Sequence, residues 1–137
     1  MLLMDWKEFE DIARNAIQKE LGCTLSNDTL DITGKSKNFD LVNESRRIVG
    51  DIKYYSMTKG GNIPSAKFST LNEYAWLMQR LEKSTKHKWK KVFVIGTDKS
   101  LVEKYIETYG KWLDDIEIYY CSKSGKISRM ARIQAFR

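Results

Sequence analysis

Between Asp5 and Gly22, Trp6, Phe9, Ile12, Ala13, Ala16, Ile17 and Leu21 recur at the spacing of one helical face. Asp5 supplies an N-cap with Glu8 three residues on, and Gly22 a stop, so the spacing predicts a helix over 5–22. The period then changes. Short apolar pieces follow at 29–33 (TLDIT), 38–43 (NFDLVN) and 46–55 (RRIVGDIKYY). Polar NESR at 43–46 is suited to turn between the last two, which predicts strands and a hairpin. SMTKGGNIP at 56–64 reads as a glycine-containing loop, and after Pro64 the helical spacing returns. Phe68, Leu71, Ala75, Leu77, Met78 and Leu81 predict a second long helix over 65–84. VFVIG at 92–96 is a continuous apolar run, as expected of a strand covered on both faces. A third helix is predicted over 100–113, and terminal strands at 116–121 and 127–134.

The order α, three β, α, β, α, β, β predicts an α/β fold, a mixed central sheet flanked by helices. With no repeat and no internal linker, residues 1–137 are expected to form one domain. Hydrophobic residues at 42% and charged ones at 31% are ordinary for a globular chain and exclude fibrous or low-complexity classes. Twenty-four Lys and Arg against eighteen Asp and Glu give +6, with a pI near 9.3, a mild push toward a polyanionic partner. Cys23 and Cys121 have no CxxC or histidine companion, so two reduced thiols are expected. The N-terminus lacks the basic and apolar regions of a signal peptide, and no run reaches membrane-helix length. The expectation is a cytoplasmic chain with no membrane association.

Charge inside the hairpin changes the picture. Asp51 and Lys53 are two apart in an otherwise apolar strand, so they emerge on one face, about 7 Å apart. Ile48, Gly50, Ile52 and Tyr54 take the other face. Asp40 reaches Asp51 if the hairpin pairs in register. Two carboxylates and a lysine suit a hard cation such as Mg²⁺ together with a phosphate. Glu10 falls inside the apolar stripe of the first helix, between Ile17 and Leu21 on the wheel, and metal coordination, direct or through water, would explain it. A salt bridge or a stripe-edge position would explain it too.

These residues resemble the PD-(D/E)XK nuclease superfamily, which includes restriction endonucleases and Holliday-junction resolvases. Its core is α-β-β-β-α-β, with a Glu on the first helix, an Asp on the second strand and (D/E)-x-K on the third. Phe9–Glu10 matches the helix motif, Phe39–Asp40 the "PD" motif, and Asp51–Ile52–Lys53 the last, with ten residues between Asp40 and Asp51. Phe39 stands where the motif has Pro, and position 51 is Asp where Glu is commoner. The resemblance spans residues 5 to 96 and leaves an accessory helix and two strands beyond it. It implies a restriction-endonuclease-like fold and Mg²⁺- or Mn²⁺-dependent DNA endonuclease activity. Asp40, Asp51, the Ile52 carbonyl and Glu10 would serve the metal, and Lys53 the attacking water and phosphate. It also implies a homodimer, since one site cuts one strand.

Other features carry less. Lys59, Gly60 and Gly61 follow the strand bearing Lys53 and are candidates, with Tyr55, for touching nucleic acid. TKGGN lacks the spacing of a phosphate-binding P-loop. The run of lysines at 83–91 around His87 reads as a solvated face. Tyr54, Tyr55 and Trp76 read first as core aromatics and second as base-stacking ones. The alternative to an enzyme is a catalytically silent nucleic-acid-binding or interaction module of the same fold, whose DNA binding would tolerate chelation and loss of Lys53.

Overall fold

The computed structural model describes residues 5–55 and 65–134. Helix α1 (Trp6–Leu21) starts where Asp5 Oδ1 accepts the Glu8 N–H at 2.8 Å, and ends on Gly22 in the left-handed region at φ 69°. Strands β1 (Ser26–Ile32) and β2 (Lys35–Asn43) follow, joined through Thr33 and Gly34. Both joining residues have positive φ, the geometry of a tight hairpin whose twist matches its strands. Then come β3 (Ile48–Tyr55), α2 (Ser65–Thr85), β4 (Lys90–Thr97) and α3 (Lys99–Tyr109). A short 3₁₀ turn (Gly110–Trp112) leads to β5 (Ile116–Cys121) and β6 (Ile127–Ile133). One mixed sheet of six strands in the order β1-β2-β3-β4-β5-β6 results. β3, β4 and β5 run parallel, and the pairs β1–β2, β2–β3 and β5–β6 run antiparallel.

Helices cover both faces of the sheet. Phe9, Ala13, Ala16 and Ile17 of α1 pack on Leu41, Ile48, Ile52, Val92 and Val94. On the other face α2 and α3 bury Phe68, Met78, Leu101 and Tyr105 against Val49, Phe93 and Ile95. The odd and even residues of β3 thus divide as the alternation requires. Gly96 lets α1 sit close: a Cβ there would run into the Phe9 ring. That approach fixes the residue next to Phe9, which is Glu10.

Several elements are longer than the sequence pattern implied. β1 and β2 extend further, over Ser26–Asp28 and Lys35–Lys37, whose side chains are exposed, so their polarity hid the strand. β4 begins at Lys90, and α3 ends at Tyr109 before the 3₁₀ turn. Trp6, expected on the buried stripe of α1, is 59% exposed, on the wall of a cleft it shares with Phe9 and Tyr54. Trp76 is likewise exposed. Lys91 is buried and paired with Glu82 at 2.5 Å, so it is not part of a solvated basic run. Cys23 and Cys121 are free thiols. No described helix is long and apolar enough to cross a membrane.

Candidate active site

The register of β2 decides where Asp40 lies. Ser26 of β1 faces Val42 while Asp28 faces Phe39, so two steps along β1 match three along β2. A bulge at Asp40–Leu41 takes up the extra residue, and such bulges re-aim a side chain. Its signature is in the core: Phe39 and Val42 both face α2 and α3, while Leu41 faces α1. The β2–β3 ladder runs from Asn43–Ile48 to Leu41–Gly50 and there stops. Past that point carboxylates replace backbone partners. The Asp40 N–H donates to Asp51 Oδ1 at 3.2 Å, and the Ile52 N–H donates to Asp40 Oδ2 at 3.0 Å. Because N–H and C=O of one strand residue point to the same side, the Ile52 carbonyl is directed toward the same gap.

Asp51 is 2% exposed. Its second oxygen, Oδ2, is buried and takes a charge-assisted contact from the Lys53 ammonium at 2.5 Å. Burial first, then the hydrogen bond and charge of Asp40, outweigh Lys53 and push the Asp51 carboxyl up to about 8. Burial works against the charge of Lys53, yet the Asp51 carboxylate, helped by Tyr55 and Tyr74, holds its pKa above the usual lysine value. Lys53 Nζ also lies 4.5 Å from the centroid of the Tyr74 ring, a cation–π contact that limits where the ammonium can go.

Glu10 completes the group from the α1 side. Burial, and next the charge of Asp40, raise its pKa, while Arg14 opposes them. Arg14 Nη2 donates to Glu10 Oε1 at 3.0 Å and to the Asp40 carbonyl at 3.1 Å, tying helix to strand. Asn27 Nδ2 donates to Asp40 Oδ1 at 3.3 Å. The sequence pattern singled out neither Arg14 nor Asn27. Arg14 had one signal, its position four residues after Glu10 on the same helix. Asn27 had none, since its contact depends on the β1–β2 register.

Glu10, Asp40, Asp51 and Lys53 therefore come together around the end of the β2–β3 ladder. No group of three or more His, Cys, Asp and Glu side chains among the described residues is arranged to hold a metal ion. The acidic residues form a chain, Glu10 to Asp40 to Asp51, rather than a cage. Two adjacent carboxylates, Asp40 and Asp51, are the donor set Mg²⁺ takes, one or two carboxylates with several waters kept. A cleft of about 280 Å³ opens here, lined by Glu10, Asp40, Ile52 and Lys53 together with Trp6, Phe9, Tyr54 and Tyr55. Tyr55 thus lies at the site. Lys59, Gly60 and Gly61 lie outside the described residues. A larger hollow of about 600 Å³, at the N-terminal ends of β4 and β5, holds Lys90 and Glu117 already paired with each other.

No protein-family model, no curated protein and no solved structure matches the chain.

Proposed function

We propose that this chain is a divalent-metal-dependent DNA endonuclease of the PD-(D/E)XK type, with a restriction-endonuclease-like fold. One observation carries the reading: the buried Asp51 carboxylate lies beside the half-buried Asp40, with the Lys53 ammonium 2.5 Å from Asp51 Oδ2. Burying two carboxylates beside an ammonium often costs more than a hydrophobic substitute of the same shape, which favours a chemical role for the group. The α/β element order and the position of Glu10 beside Asp40 support the same reading.

Asp40, Asp51 and the Ile52 carbonyl would hold Mg²⁺ or Mn²⁺, with Glu10 acting on its water shell. Such an ion supplies a water of lowered pKa and offsets phosphate charge. The protein's own groups do the positioning. Lys53, confined between Asp51 and the Tyr74 face, donates to the attacking water and to a phosphate oxygen on which charge builds up. Arg14 and Asn27 fix the carboxylates before substrate arrives, so little reorganisation is left for the reaction. A homodimer would place two such sites on the two strands of a duplex.

The test is a cleavage screen of purified protein on linear and branched DNA substrates, with Mg²⁺ or Mn²⁺. The proposal expects at least one substrate to be cut and cutting to stop with a chelator. Failure to cut any of them with either metal would leave the silent binding module as the better reading.

A further inference from the structure

Half of the residues lining the cleft beside the carboxylates are aromatic: Trp6, Phe9, Tyr54 and Tyr55. Phe9 and Tyr54 are stacked on each other, with centroids 5.0 Å apart and planes 22° apart, and Phe9 is fully buried. Trp6 is different. It lies on the first turn of α1, four residues before Glu10 and hence on the same side of the helix, and it stays 59% exposed. Among the described residues no ring stacks on it. Among the described residues, the Lys7 ammonium lies over it, 5.7 Å from the centroid. Lys67 lies 5.2 Å from the centroid of the Tyr55 ring, and Tyr55 also lines the cleft. One open ring, Trp6, and two ring-bound lysines, Lys7 and Lys67, thus lie near the cleft that Lys53 and Asp40 line. That is the make-up of a single-strand platform, in which rings take bases and cations take the phosphates between them.

We propose that Trp6 is a stacking subsite for an unpaired nucleobase next to the phosphate to be cut. The substrate would then be single-stranded, or carry a splayed base at a branch or end; this rests on the nuclease reading for the role of the neighbouring carboxylates. Paired bases inside a duplex have their faces covered by their neighbours and cannot reach the indole without being extruded. The cleft also suits this occupant better than a duplex. At about 280 Å³ it is a local hollow, whereas a duplex would need an extended groove.

The experiment is binding of a labelled single-stranded DNA oligonucleotide and of a blunt duplex of equal length, in chelator, to wild type, Trp6→Ala, Trp6→Phe and Trp112→Ala. Trp112 is the control: it is 82% exposed and lines a separate groove with Trp76. Trp6→Ala should weaken single-strand binding about tenfold, Trp6→Phe should recover most of it, and Trp112→Ala should bind as wild type. Duplex binding should change by less than about twofold in all of them, because it runs on phosphate contacts. Because Trp6 is exposed, Trp6→Ala should keep its thermal midpoint, and Trp6→Phe guards against a folding artefact. Equal single-strand affinity in wild type and Trp6→Ala, or an equal loss on both ligands, would overturn the subsite. Cleavage in Mn²⁺ is scored separately. Trp6-dependent binding without cleavage would refute only the nuclease reading, and cleavage with Trp6-independent binding would refute only the subsite.

Discussion

Asp51→Asn should stabilise the metal-free protein, and by an amount that grows with pH. The Asp51 carboxyl is pushed from an ordinary 3.8 up to about 8, chiefly by burial and then by Asp40. A raised carboxyl pKa means that the folded state holds a proton that the unfolded chain has given up. Stability from this group is therefore complete below about pH 4 and falls as pH climbs toward 8, by about 1.4 kcal/mol per unit. By pH 7 the loss is on the order of 4 kcal/mol, and between pH 5 and 7 it is on the order of 2–3 kcal/mol. Asn has the shape of the neutral acid and no such loss. It also leaves Lys53 without its partner, but that penalty is the same at each pH while Lys53 stays charged. The assay is urea unfolding of both proteins at pH 5, 6 and 7 in chelator, plotted as the difference between them. The gap should widen by about 1.4 kcal/mol per pH unit in favour of Asp51→Asn. A gap that stays flat from pH 5 to 7 would refute the argument that the buried carboxyl is held protonated.

Millimolar Mn²⁺ at pH 7.5 should raise the thermal midpoint of wild type by mass action, about 2.7 kcal/mol at a hundred times the dissociation constant. Asp40→Asn and Asp51→Asn should lose that shift, and a shift unchanged in both would place the ion elsewhere. Gly96→Ala should destabilise by about 1–3 kcal/mol, because its methyl must displace the Phe9 ring. The same change moves Glu10, so the Mn²⁺ shift should shrink as well; full metal binding in a destabilised variant would deny Glu10 its role. DNA affinity should fall linearly with salt on logarithmic axes, as phosphate neutralisation releases counterions. Affinity unchanged between low and physiological salt would remove nucleic acid as the partner.

Much of this architecture was readable from local patterns. Asp5 and Gly22 bracket α1 by capping chemistry, and the apolar flanks of Asp51 and Lys53 marked β3 as a strand inside the sheet. The meeting of Asp40 with Asp51 was expected only if the hairpin paired in register, and the Asp40 N–H does reach Asp51 Oδ1. The bulge at Asp40–Leu41 did not, because it depends on a mismatch with β1 that no stretch of β2 records by itself. The same holds for Asn27, whose amide meets Asp40 only across that register. Trp6 was misread for a different reason. Helical spacing gives the side of α1 on which a residue falls but not where the sheet beneath it ends. Phe9 is packed at Gly96 and fully buried, while Trp6, about one turn earlier on the helix, is exposed. Polar strand ends such as Lys35–Lys37 carry no burial signal at all, since both of their faces meet water.

The central claim is that Lys53 and its carboxylates cut DNA, and the rate of cleavage by Lys53→Ala tests it most directly. The measurement is single-turnover cleavage, in Mg²⁺ or Mn²⁺, of whichever substrate wild type cuts, beside a Lys99→Ala control at the exposed start of α3. Lys53→Ala leaves both carboxylates in place and removes one preorganised charge, which typically costs about 10²–10³ in rate. Its DNA affinity should fall only slightly, as one of 24 Lys and Arg residues is lost. The account predicts that loss for Lys53→Ala and wild-type cutting for Lys99→Ala. Equal rates for wild type and Lys53→Ala would contradict it.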